Sequence, residues 1–157
     1  DPSKKVLNLP DGVYSSNSIA AMGIAAHEAG HAMQKLENYA PLNLRSAIVP
    51  AVNISSSLST PMFILGLIFA WQPLVYIGIG LFAASTVFAL VTLPVEFDAS
   101  KRAIQMLSEG GYISGAEEER NVRKVLSAAA LTYVAAAVTS LLSLLRLILI
   151  AKRNDRN

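Results

Sequence analysis

Charged residues are absent from residues 46–95 and again from 125–145, and these two apolar stretches set the frame of the chain. Fifty residues of helix would run roughly 75 Å at 1.5 Å per residue, against a hydrocarbon core about 30 Å thick. The first stretch therefore predicts two membrane crossings, at about 48–70 and 74–93, with Trp71-Gln72-Pro73 as a tight turn and Trp71 at an interface. The second stretch stays apolar past Arg146 to Ala151 and predicts a third crossing, with Arg146 reaching toward the far interface. Between them, Pro94 is expected to open a new helix that stops near Gly110-Gly111, and residues 112–124 read as a solvated helix after a Ser114 cap. Ahead of the apolar region, residues 19–34 lack proline and follow the polar group Ser15-Ser16-Asn17-Ser18, which predicts a capped helix. Val6, Leu7 and Leu9, followed by Pro10-Asp11-Gly12, read as a short strand and turn, and such a strand could offer an edge to an extended peptide.

The expected fold class is mainly α: one membrane-embedded domain over 1–157 with about three transmembrane helices and a short N-terminal β-strand. Within it, 1–40 carries the strand and the first long helix, 41–95 the transmembrane hairpin, 96–124 two further helices, and 125–157 the last crossing and tail. One polar patch interrupts the first crossing, where Asn53, Ser55, Ser56, Ser57, Ser59 and Thr60 lie between Pro50 and Pro61. Lipid is a poor neighbour for such groups, so the patch either lines a watery path or lets helices pack closely.

Composition agrees with a membrane protein: 53% of the 157 residues are hydrophobic, 15% are charged, and mean hydropathy is +0.45. A net charge of +2 is too slight to argue for nucleic acid. With no cysteine there is neither a disulfide nor a thiolate metal site. The chain starts at Asp1 without a signal pattern, and is expected to lack an N-terminal segment.

Both histidines fall in His27-Glu28-Ala29-Gly30-His31. Residues four apart share a helix face, so the two imidazoles can meet one ion while Glu28 points beside it, as in the HExxH zincin pattern. Zinc needs neutral imidazoles, a further protein ligand and an open corner for water, and Glu28 has the position of a general base. Gly30 costs about 1 kcal/mol relative to alanine inside a helix, and a close approach by a backbone or a ligand would explain it. The third ligand has to be a carboxylate. Among the acidic residues, terminal, solvated and same-helix positions drop out, leaving Glu96, Asp98 and Glu109. Glu96 is favoured because two crossings return the chain to the side it left, although an anion placed at a helix N-terminus is the alternative reading. Ser100 lies one turn beyond Glu96 and could hydrogen-bond a ligand. Asp98 points elsewhere, toward Lys101 or Arg102 or toward a histidine. For the carbonyl oxygen of a substrate, Tyr133 and Arg102 are candidate donors.

Three segments, His27-Glu28-Ala29-Gly30-His31-Ala32, Pro41-Leu42-Asn43-Leu44-Arg45-Ser46 and Leu93-Pro94-Val95-Glu96-Phe97-Asp98-Ala99-Ser100, carry a resemblance to the YugP-like neutral zinc metallopeptidases of bacterial membranes. The similarity runs from about Leu9 to Leu149 and extends more distantly to the HtpX and CAAX prenyl proteases. It implies His27, His31 and Glu96 as zinc ligands and Glu28 as base. Ala99 matches the alanine of those distant relatives' E-x-x-A-D element, but Ser100 stands where they have aspartate.

The combined reading is a membrane endopeptidase holding one Zn²⁺ per chain, acting on a peptide or membrane-protein substrate within a lipid bilayer. Nine Lys and Arg residues fall on the metal side and four on the other, which favours a site facing the cytoplasm, and the resemblance implies a bacterial plasma membrane. The alternative is a non-enzymatic zinc-binding membrane protein, a transporter or sensor. Transport would call for polar or ionisable ligands on several crossings, and apart from the hydroxyl and Asn53 patch the crossings have none.

Overall fold

The computed structural model describes Lys4 and residues 6–156, and these divide into two units, Asp1–Asn43 with Leu93–Tyr133 and Leu44–Thr92 with Val134–Asn157. Among the described residues five helices follow in chain order: α1 (Asp11–Tyr14), α2 (Ile19–Leu36), α3 (Ala40–Ile68), α4 (Gln72–Glu109) and α5 (Gly115–Asp155). Among the described residues there is no strand. Residues 6–10 are irregular, and Pro10 leads into the single turn α1 rather than a hairpin. The expected strand fails for want of a partner, since a ladder needs a second extended segment and the described residues offer none.

The first unit is built on α2. Ser18 caps it, its Oγ accepting from the Ala21 amide at 3.1 Å, and the helix ends where Asn38 turns left-handed at φ 53°. Of its buried positions, Gly23, Ala26, Gly30 and Gln34 recur every three or four residues and form one narrow face of mostly small side chains, while Ala21 is buried near the capped start. Ala26 packs with Ala103, Ile104 and Leu107 of α4 and with Val122 and Leu126 of α5 in a single apolar cluster. Val122 and Leu126, four residues apart on α5, are buried in this cluster, while the Glu119–Arg123 ion pair lies on the strip of the helix beside them. Gly111, at φ +71°, ends α4, and the Tyr112 amide returns to the Leu107 carbonyl.

The second unit holds residues 44–68 of α3, 72–92 of α4 and 134–155 of α5. Each piece is roughly 30 to 40 Å long at 1.5 Å per residue, enough to cross a hydrocarbon core. All three parent helices are long and apolar enough to span a membrane. The α3–α4 hairpin turns at Ala70, φ 50°, and Gln72 is already helical, so the turn precedes Gln72-Pro73. A Cβ on Gly78 would lie 2.7 Å from the Phe63 backbone nitrogen, and glycine there lets the two helices touch. The polar patch is partly used in packing: Ser56 and Ser85 hydroxyls meet at 2.7 Å, and Ser59 is buried and donates to the Ser56 carbonyl. Thr86 and Ser140 pair likewise at 2.8 Å.

Two sequence expectations about boundaries are corrected. Pro94 opens no helix but lies inside α4, and the charged segment after Ser114 is the start of α5, not a separate helix. Proline deletes one backbone donor, a cost that helices packed in membrane proteins tolerate.

Candidate metal centre

His27 and His31 lie one turn apart on α2, and Glu96 comes from α4. Their ring centroids are 4.8 Å apart with the planes at 88°, an edge-on arrangement that directs both Nε2 atoms toward one point. Glu96 meets them there: its Oε2 is 2.9 Å from His27 Nε2 and 3.4 Å from His31 Nε2. One donor atom from each residue falls within 4.8 Å of the others. A tetrahedral zinc with bonds of about 2.0 to 2.2 Å separates its donors by roughly 3.3 Å, so two imidazole nitrogens and one carboxylate oxygen so spaced fit the ion and leave a corner open.

The crossing of α2 and α4 sets this geometry. A Cβ on Gly30 would sit 2.5 Å from the Ala99 carbonyl oxygen and 3.2 Å from its Cα, closer than any side chain tolerates. Glycine at position 30 thus admits the backbone of α4, the close approach its cost in the helix suggested. With the backbones that near, Glu96 and Ser100, which flank Ala99 at helical spacing, both reach the histidine face.

Each ring is held from behind. Ser100 Oγ lies 3.0 Å from His27 Nδ1, and His31 Nδ1 donates to Gln34 Oε1 at 2.9 Å. Gln34 is fully buried, and its amide nitrogen donates to the Val95 carbonyl and to Asp98 Oδ2, both at 2.8 Å. Both donors being used, the amide cannot flip, so its oxygen faces His31 and keeps the ring proton on Nδ1. That leaves Nε2 with a lone pair toward the centre. Burial disfavours a charged His31, but the hydrogen bonds of Glu96 and Gln34 and the charges of Glu96 and Glu28 outweigh it and raise the imidazole above its usual 6.5.

Asp98 therefore touches His31 only through Gln34, and it also accepts from Arg102 Nε at 2.7 Å. Arg102 in turn pairs with Glu37 and lies over the Tyr39 ring, its charge held between two carboxylates. Tyr133 stands elsewhere, beside a cavity of about 170 Å³ that also touches His27, Glu28, Glu96 and Ser100. Glu96 does not begin a helix: it lies deep inside α4, where no helix N-terminus attracts an anion, which removes that alternative for its acidity. Sequence reasoning missed Gln34. Its position seven residues after His27 and three after His31, on the same helix face, was the available signal.

The family model described as "Putative neutral zinc metallopeptidase" matches residues 1–152. A curated relative, "Putative membrane protease YugP" of Bacillus subtilis (strain 168), is 48% identical over 150 residues, covering 96% of this chain and 66% of that protein. No solved structure matches. With its paired histidines and buried glutamate on crossing helices, and three helices apolar enough for a bilayer, the chain belongs to the neutral zinc metallopeptidase family.

Proposed function

We propose that this chain is a zinc-dependent membrane endopeptidase in which His27, His31 and Glu96 hold the ion and Glu28 is the general base. The convergence of two Nε2 atoms and Glu96 Oε2 supports the ligand assignment most directly. When bound, zinc supplies a Lewis-acidic charge that polarises a substrate carbonyl and acidifies water. Glu28, one residue after the first histidine and lining the cavity beside it, accepts the proton from the attacking water. As the C–N bond of the tetrahedral adduct breaks, the same carboxyl group returns that proton to the departing amine. Ser100 and Gln34 keep the imidazole rings from turning, so no reorganisation is needed during the reaction. Of the two candidate donors for the carbonyl oxygen, Tyr133 lines the cavity together with Glu28, whereas Arg102 does not and pairs with Asp98 and Glu37.

The basic residues of the metal side outnumber those of the other side, nine to four, and this supports a site that opens to the cytoplasm. Single cysteines introduced into the cysteine-free chain and labelled from either side would test the orientation. The decisive test of the chemistry is Glu28→Gln in purified, zinc-loaded protein. Zinc content should stay at the wild-type level while peptide cleavage falls by about 10²–10⁴-fold, the range that positioned proton transfer contributes. Undiminished cleavage would remove Glu28 from the mechanism.

A further inference from the structure

The cavity beside Glu28 has a mixed lining. His27, Glu28, Glu96, Ser100 and Tyr133 supply its polar groups, while Ile24 of α2 and Leu126, Ala129 and Ala130 of α5 supply an apolar wall. Ile24 sits one helical turn before His27, so the apolar wall begins at the donors themselves. Any carbonyl carbon that comes within reach of Glu28 brings the side chain of a flanking residue against this wall. Its volume of about 170 Å³ is close to that of an engineered apolar cavity of about 150 Å³ that accepts benzene. A branched aliphatic or a phenyl side chain fits; an indole with its backbone does not. No lysine or arginine lines the cavity. An acidic side chain laid against Ile24, Leu126, Ala129 and Ala130 would lose its water, find no basic side chain and meet the Glu28 carboxylate nearby, costs that apolar side chains escape.

Resting on the peptidase reading above, we infer that the Ile24–Leu126–Ala129–Ala130 wall is the side-chain subsite of the enzyme, and that it selects peptides with leucine, isoleucine, methionine or phenylalanine next to the scissile bond. Smaller residues bind it less well because they leave part of the apolar surface uncovered, and each missing methylene is worth up to tenfold or more in kcat/KM.

The test is a set of fluorogenic peptides that differ at the residues flanking the scissile bond, with leucine, phenylalanine, alanine or aspartate. They are cleaved by zinc-loaded wild-type protein in detergent, with Glu28→Gln as the background. Leucine and phenylalanine peptides should exceed the alanine peptide by at least tenfold, and the aspartate peptide should be poorest. Two variants move the preference in opposite directions. Ala130→Phe fills the cavity and should collapse the leucine-to-alanine ratio toward one. Ile24→Ala is made at a partly exposed position, so it should spare folding, and it should shift the preference toward phenylalanine. Zinc content and melting temperature establish that each variant is folded and loaded, and Ile24→Ala keeps the test open should Ala130→Phe not fold. Cleavage with no apolar preference, or with a preference unmoved by a folded variant, overturns the subsite and leaves the peptidase reading standing. No zinc-dependent cleavage of any peptide overturns both.

Discussion

Gly30→Ala adds one methyl group and should disable the site. The new Cβ would lie 2.5 Å from the Ala99 carbonyl oxygen, where ordinary contacts begin near 3.4 Å, so α4 has to retreat by about 1 Å. Alanine gains roughly 1 kcal/mol of helix propensity, and overpacking against a backbone atom costs about 1–3 kcal/mol, so the net change in stability is small or modestly unfavourable. The site is far less forgiving. Glu96 and Ser100 ride on the displaced segment, and a misplacement of about 1 Å is enough to cost 10²-fold in a positioned reaction. Zinc affinity, measured by competition with a fluorescent chelator, and peptide cleavage should therefore both fall by about two orders of magnitude, while helical content is retained. Gly23→Ala is the matched control, because its Cβ would meet Val122 Cγ1 at a comfortable 3.6 Å. It should leave zinc affinity unchanged and raise the melting temperature. If Gly30→Ala behaves like Gly23→Ala in both measurements, close crossing at residue 30 does not set the donor geometry and the reasoning is refuted.

Glu96→Ala should lower bound zinc, quantified by elemental analysis after dialysis, by at least tenfold, since two imidazoles alone make a weak site; stoichiometric zinc in this variant would mean another carboxylate is the ligand. Gln34→Leu keeps the volume but leaves His31 Nδ1 and Asp98 without their shared partner, and should weaken zinc affinity by about 10–100-fold. Nitrogen-15 NMR of His31 should then show loss of the Nδ1–H tautomer, and an unchanged tautomer would mean that Gln34 does not orient the ring. Arg102→Leu breaks two partly exposed ion pairs and should cost no more than about 1 kcal/mol of stability, with zinc binding near the wild-type level. Loss of cleavage at unchanged stability and zinc content would instead make Arg102 a contact to substrate.

How far the fold could be read in advance differed from element to element. The length of the uncharged stretches could be compared directly with the thickness of a bilayer, and three apolar helices resulted. Ser18 and Gly111 marked helix ends because capping and left-handed turns are local chemistry, and α5 begins just after Ser114, whose own amide donates to Glu118. Pro94 misled for the opposite reason. The rule that proline stops a helix weighs one lost hydrogen bond, whereas the continuation of α4 depends on packing along its whole length, which no local window contains. The isolated strand around Val6 failed similarly, because pairing is a property of two segments. At the site, the histidine spacing and the shortage of suitable carboxylates brought His27, His31 and Glu96 together on paper, and the folded chain has them in contact. Gln34 escaped notice because an amide has no spacing rule of its own. It acquires meaning only when Val95 and Asp98 arrive from another helix to fix which way it faces.

Glu96, Asp98 and Ser100 together engage His27, His31 and Gln34 of α2, within little more than one turn of α4. Such an arrangement locks the azimuth of α4 as a key is locked by its notches. One residue inserted between Pro94 and Glu96 would swing all three side chains by about 100°, and additions near whole turns, about four or seven residues, would bring them round again only by carrying them about 6 or 10 Å too far along the axis. Insertions and deletions in this lineage should accordingly collect in the connections at Ala70 and Gly111 and spare the interior of α4 around the ion.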